Sequence, residues 1–164
     1  VRSHIVYFNA FPEWQKFQTD LLTKIDYHAL YHHYLSLAKN GIKVMQTSDN
    51  FTYKKVFYVI RGLLSAEIAL QYQMPKLIIT ELFAQINQTD PLSQWAQNYL
   101  EVKKQDKEKS QILVTQQQGL LSLLDKKITA LHTAYVQLHK QHDASSLQHY
   151  LTEYSIQLKQ HFYG

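Results

Sequence analysis

The sequence predicts an all-α fold, a bundle of about six helices in one domain over residues 1–164 that begins with a short extended arm at residues 1–8. Three observations carry this. Glycine and proline are scarce, four and three in 164 residues, leaving few of the tight turns that an all-β fold needs. Leucine, glutamine and lysine, which lose little rotamer freedom in a helix, are plentiful. Apolar residues recur three and four apart through much of the chain, the period of a helix face. The length suits a single domain with a real core, and the 45% apolar fraction is that of a globular protein.

The opening Val1-Arg2-Ser3-His4-Ile5-Val6-Tyr7-Phe8 ends in a β-branched and aromatic run and reads as extended. Phe11 and Pro12 start a first helix, with the proline where its missing N–H is harmless and Trp14, Phe17, Leu21 and Leu22 on the apolar face. Asp26 caps a second helix over 27–39, closed by Asn40-Gly41. Residues 42–49 read as a loop, and Asp49 or Asn50 caps a third helix running to about Gln73. Pro75 separates it from a short helix near 77–86.

Thr89-Asp90-Pro91 opens a fifth segment that reaches about Lys107. From Gln111 to Gln141, Leu120, Leu121, Leu124, Ile128, Leu131, Tyr135 and Leu138 mark a long amphipathic helix. Asp143 to Ser146 forms a turn and cap before a last helix carrying Leu147, Tyr150, Leu151, Tyr154 and Leu158. These last two helices are expected to form an antiparallel hairpin packed on the earlier ones.

Composition removes several function classes. No cysteine is present, so disulfides and thiolate metal sites are excluded. No run of 18 apolar residues and no charged-then-oily leader occurs, so neither a membrane span nor a signal peptide is expected and the location reads as cytoplasmic. The net charge of +4 permits an anionic partner. There is no Gly-Ser dipeptide, P-loop, G-x-G-x-x-G or nucleophile elbow. The single acidic doublet, Asp106-Lys107-Glu108, sits among lysines and reads as a solvated helix face. His28 and His32 have the i, i+4 spacing of metal ligands, yet no carboxylate stands nearby in sequence, and an exposed polar face is the favoured reading. His33 lies at the edge of that helix's apolar arc of Tyr27, Leu30, Tyr34, Leu37 and Ala38, as a core contact or a ligand-orienting ring. His139 and His142 read as solvent-facing.

The strongest functional signal lies in the third helix. At about 100° per residue, Lys54, Tyr58, Arg61 and Ser65 fall within roughly 60° of one another, opposite Val56, Ile60, Leu63 and Leu64. Arg61 is the only arginine besides Arg2, and its planar fork of donors suits phosphate or carboxylate. With Lys55 alongside, the stripe could hold a triphosphate or an RNA backbone. The competing reading makes Arg61 half of a buried structural ion pair with Glu67 or Glu81.

Three ordered pieces resemble the C-terminal part of a family of nucleotidyltransferases of the DNA polymerase β superfamily, some linked to RNA repair. They are Ser3-His4-Ile5-Val6-Tyr7, His33-Tyr34-Leu35-Ser36-Leu37-Ala38-Lys39, and Lys54-Lys55-Val56-Phe57-Tyr58-Val59-Ile60-Arg61-Gly62-Leu63-Leu64-Ser65-Ala66, followed by Pro75. The resemblance covers roughly the first 85 residues. His4 and Gly62 stand where the family favours proline, and the family's Gly-Ser turn and paired aspartates are absent.

The resemblance implies a catalytic domain upstream of this sequence, whose last strand would be the extended arm. That domain would bind most of the Mg2+ and nucleoside triphosphate, with no cofactor held by this chain alone. It further implies that His33, Tyr34, Lys39, Lys54, Tyr58 and Arg61 face the catalytic cleft. Lys54 and Arg61 would contact phosphate, Tyr58 would hydrogen-bond or stack, and His33 would position the ligand. The expected function is the nucleotide- and acceptor-binding part of an enzyme moving a nucleoside monophosphate to an acceptor hydroxyl, with RNA as a candidate acceptor. Two rivals stand beside it: an interaction module that homodimerises through the 111–141 helix, and a helical RNase- or toxin-like protein, for which Arg61 lacks a following histidine.

Overall fold

The computed structural model describes residues 14–48, 50–86, 89–105, 107, 109–137 and 144–163. Seven helices occur among them: α1 (Trp14–Thr23), α2 (Tyr27–Ser48), α3 (Tyr53–Leu70), α4 (Ile79–Ala84), α5 (Pro91–Lys104), α6 (Val114–Val136) and α7 (Ala144–Tyr163). The all-α expectation holds, with one isolated antiparallel bridge between Thr52 and Gln111 and no strand among the described residues. The extended arm, Phe11 and Pro12, Asp49, the acids Asp106 and Glu108, Leu138, His139, His142 and the Asp143 cap lie outside the described residues.

Two compact units are present, one formed by residues 1–26 and 140–164 and the other by Tyr27–His139. In the first, Phe17 of α1 stacks on Tyr154 of α7 at 3.7 Å between ring centroids and on Tyr150 at 5.9 Å. The Tyr150 hydroxyl donates to the Asp20 carboxylate at 3.2 Å, and burial together with that carboxylate pushes its phenol above the ordinary range. The sequence reading joined α6 and α7 in one hairpin; α6 belongs to the second unit and α7 to the first.

The second unit is built around α3, which is buried on most sides by Val56, Ile60, Leu63, Leu64, Ala66 and Ile68. Its largest interface is with α2, and α5 and α6 pack against its remaining faces. The loop expected at 42–49 is helix as far as Ser48, because Ile42 and Met45 extend the buried stripe of α2. Gly41 is therefore no cap. A Cβ there would lie 2.7 Å from Val59 Cγ2, and one at Gly62 would lie 3.2 Å from Ala38 Cβ and 3.3 Å from the Tyr34 carbonyl oxygen. The two glycines let the α2 and α3 backbones approach closely.

The buried stripe of α2 is His28, Tyr31, Leu35, Ala38, Ile42 and Met45, rotated from the predicted arc. His28, expected on a polar face, is only 6% exposed and packs edge-on to Tyr72 and Tyr135. Leu37, expected inside, is 53% exposed. Tyr31 stacking on Tyr135 of α6 at 4.8 Å sets this rotation.

Thr52 caps α3, accepting from the Lys55 N–H at 3.4 Å, so neither Asp49 nor Asn50 is the cap. Helix α3 stops at Leu70, ahead of the predicted Gln73, where Tyr72 takes a left-handed φ of 55°. At the other end, Ile112 N–H donates to the Phe51 carbonyl at 2.7 Å and Tyr53 N–H to the Ser110 carbonyl at 3.2 Å. Residues 110–112 are thereby extended, and α6 starts at Val114 in place of Gln111. Helix α5 starts within the predicted Thr89-Asp90-Pro91, with Asp90 as its cap accepting from Leu92 N–H at 2.8 Å, although it ends at Lys104 and not Lys107. The same Asp90 and Glu67 of α3 both take the ammonium of Lys127 on α6, at 2.6 and 2.8 Å. Burial pushes that ammonium toward its neutral form, but the two carboxylates outweigh burial and hold it above the ordinary lysine value.

Candidate functional site

Arg61 lies on the side of α3 that faces the 71–78 connection, half-buried. Its Nη2 donates to the Leu77 carbonyl oxygen at 2.8 Å, and it forms no ion pair among the described residues. Both acids proposed as its internal partners are engaged elsewhere: Glu67 with Lys127 at 2.8 Å and Glu81 with Lys76 at 4.0 Å. The structural ion pair expected from the competing reading is absent, since a carbonyl and not a carboxylate fixes the guanidinium. A carbonyl leaves the positive charge uncompensated and uses one of five donors.

The carbonyl is held in turn. Pro75 is buried, and the Gln85 side chain spans the connection, accepting from Lys76 N–H at 2.9 Å and donating to the Met74 carbonyl at 3.1 Å. Gln85 follows the last turn of α4, so that short helix acts as a bracket for the segment carrying Leu77.

Two clefts flank the ridge made by Tyr58, Arg61 and Leu77. The larger, about 610 Å³, lies between α2, α3 and the 71–78 connection and has mainly apolar walls, including Leu37, Val44 and Val59, with Lys55 and Lys76 also lining it. The smaller, about 330 Å³, lies between α3 and α5 and brings together Lys54, Arg61 and Lys103. Its floor includes Phe57 and Tyr99, stacked at 4.1 Å. The larger volume falls within the range of small-molecule sites, where apolar walls and a few polar groups are the rule.

Of the residues singled out by sequence, Tyr58 and Arg61 border both clefts, Tyr34 lines the larger and Lys54 the smaller. Ser65, the fourth member of the stripe, is buried in the wall of the larger cleft. His33 and Lys39 line neither. His33 is exposed rather than at the core edge, with its ring edge-on to Tyr34 at 5.3 Å. The rotation of α2 that buries Tyr31 turns His33 outward. His28 and His32 do not become a metal pair: His28 is inside, His32 is exposed against Tyr135, and no group of three His, Asp or Glu among the described residues is placed to hold a metal.

Sequence reasoning missed Lys76, Leu77, Gln85 and Lys103. Lys103 was hidden in a charge-rich run read as solvated surface, and the Leu77 contribution is a backbone oxygen, which has no signature in residue type.

The family model that matches this chain is that of the RNA repair pathway DNA polymerase beta family, over residues 1–153. The chain belongs to that family. The match reaches well beyond the roughly 85 residues whose motifs carried the resemblance, taking in α5, α6 and part of α7. No curated protein and no solved structure matches it. Family membership makes the chain a DNA polymerase β-like, nucleotidyltransferase-related protein. No helix among the described residues is long and apolar enough to cross a membrane.

Proposed function

We propose that this chain is the helical nucleotide- and acceptor-binding portion of a nucleotidyltransferase that moves a nucleoside monophosphate from a nucleoside triphosphate to an acceptor hydroxyl, RNA being the acceptor. The observation that carries the reading is Arg61: a half-buried guanidinium at the mouth of two clefts, oriented by a carbonyl and neutralised by no acid among the described residues. Such a group is oriented in advance for phosphate, because its fork offers two parallel donors and little rotamer freedom remains to be lost on binding.

In this reading the triphosphate lies against Arg61 with its base and sugar toward the larger cleft, where Tyr34 and Tyr58 offer ring faces or hydroxyls. The chain's contribution is to bind, orient and shield the ligand; holding reactants in register supplies a large share of the barrier reduction in group transfer. The family implies Mg2+ with the triphosphate, and in this reading a catalytic portion supplies metal binding and activation of the acceptor hydroxyl.

The test is nucleotide affinity by isothermal titration with wild type, Arg61→Ala and Lys54→Ala. Loss of a phosphate-contacting guanidinium should weaken binding on the order of 10-fold, equivalent to about 1.4 kcal/mol. Unchanged affinity in Arg61→Ala refutes the reading. A second reading, a module that homodimerises through α6, is favoured by the exposure of Leu113, Val114 and Val136 at the two ends of that helix. It expects dimers in sedimentation and nucleotide affinity indifferent to both substitutions.

A further inference from the structure

The smaller cleft differs from the larger in chemistry. Lys54 comes from the first turn of α3, Arg61 from two turns further along, and Lys103 from the last turn of α5. Seven helical residues put the Lys54 and Arg61 backbones about 10 Å apart along the axis, more than a single phosphate group covers. None of the residues lining this cleft is acidic. Lys103 makes no ion pair among the described residues, whereas its neighbour Lys104 is tied to Glu101 at 2.7 Å. Tyr58, at 58% exposure, stands at the cleft's edge with its ring available to a base.

A row of separated cations beside an exposed aromatic ring is the arrangement by which single-stranded nucleic acid is bound without sequence preference. Cations follow the backbone, and rings accept any base because every base has a π face. The geometry points to the cleft between α3 and α5 as a separate subsite for the phosphodiester backbone of a single-stranded nucleic acid, with Lys103 as its distinguishing contact. It rests on the reading that the acceptor is a nucleic acid, and assigns that acceptor a place distinct from the triphosphate. The ridge of Tyr58 and Arg61 divides the two, so a strand end in the smaller cleft would lie beside a triphosphate in the larger one.

Lysines in the last turn of a helix also favour its dipole, and this bland role is shared by Lys103 and Lys104. Lys104→Gln is therefore the control for Lys103→Gln. The experiment follows fluorescence anisotropy of a labelled single-stranded oligoribonucleotide of about 10 nucleotides, a span typical of such grooves. It is run across a salt series with the wild type, both variants and Lys103→Arg; nucleoside triphosphate affinity is measured in parallel.

The expected result is several-fold weaker strand binding in Lys103→Gln, with the log–log salt slope reduced by about 0.7, the value for one lost phosphate contact on a single strand. Lys103→Arg should restore binding, Lys104→Gln should stay near wild type, and triphosphate affinity should be unchanged in all three. Absence of strand binding in the wild type overturns the inference. So does equal loss in Lys103→Gln and Lys104→Gln, or a loss of triphosphate binding that matches the loss of strand binding. The Arg61→Ala result is read separately: indifferent triphosphate affinity there removes the functional reading, while a Lys103 effect confined to the strand would still stand.

Discussion

Lys127→Met isolates the ion cluster that joins α3, α5 and α6. The Lys127 side chain is 11% exposed and its ammonium touches two carboxylates, Asp90 at 2.6 Å and Glu67 at 2.8 Å. At an effective dielectric of about 20, each pair is worth roughly 6 kcal/mol of direct attraction. Desolvation of the three groups and the mutual repulsion of the two acids offset most of this. Removing the cation leaves two neighbouring carboxylates uncompensated, a situation that costs about 3 kcal/mol in partly buried sites. Asp90 is also the cap of α5, so its displacement would weaken that helix start as well.

For a folded unit of this size the loss corresponds to a fall in melting temperature of about 10 °C. Circular dichroism melts at pH 7 measure it directly. The pH dependence supplies an independent check. The folded ammonium titrates above the ordinary lysine value of 10.5, so its contribution is fully present below that pH and disappears as pH rises through the folded value. Tyr31, whose phenol is raised by burial and then by Tyr135, acts in the same direction above about pH 10. Wild-type stability should therefore hold to about pH 9.5 and fall beyond it, with a shallower fall in Lys127→Met. A variant that melts within about 2 °C of wild type at pH 7, or one with the same alkaline slope, would refute the argument.

Three further substitutions have defined outcomes. Gly62→Ala pushes a methyl against the Tyr34 carbonyl and Ala38 across the α2–α3 contact and should destabilise by about 1–2 kcal/mol. Gly119→Ala, in α6 with nothing within 4 Å of the new methyl, should stabilise by about 0.5–1 kcal/mol; urea melts read both signs. Gln85→Leu strips Lys76 N–H and the Met74 carbonyl of their partner and loosens the segment that carries Leu77. It should lower triphosphate affinity several-fold while Lys76→Ala, which removes only a side chain, leaves the bracket itself intact; equal affinity in wild type and Gln85→Leu would show that Arg61 does not depend on that support.

Much of this molecule was legible in its letters. Periodicity and the lack of turn residues pointed to an all-α fold of about six helices where the described residues form seven, Asp90-Pro91 marked a helix start correctly, and the isolated Arg61 in an otherwise lysine-based chain marked the ridge. These are local properties, decided within a turn or two of one helix, where residue type and spacing suffice.

What the letters did not decide depends on what lies opposite. Asn40-Gly41 has the chemistry of a helix end, and only the proximity of Val59 makes Gly41 a contact point inside a continuous α2. His28 has the chemistry of a surface residue until Tyr72 and Tyr135 close around it. The competing reading paired Arg61 with Glu67 or Glu81, whereas Lys127 arrives from α6 to hold Glu67, Lys76 holds Glu81, and the guanidinium is fixed by a carbonyl. A charge is committed by its nearest neighbours in space, and those are assembled by packing rather than by order along the chain.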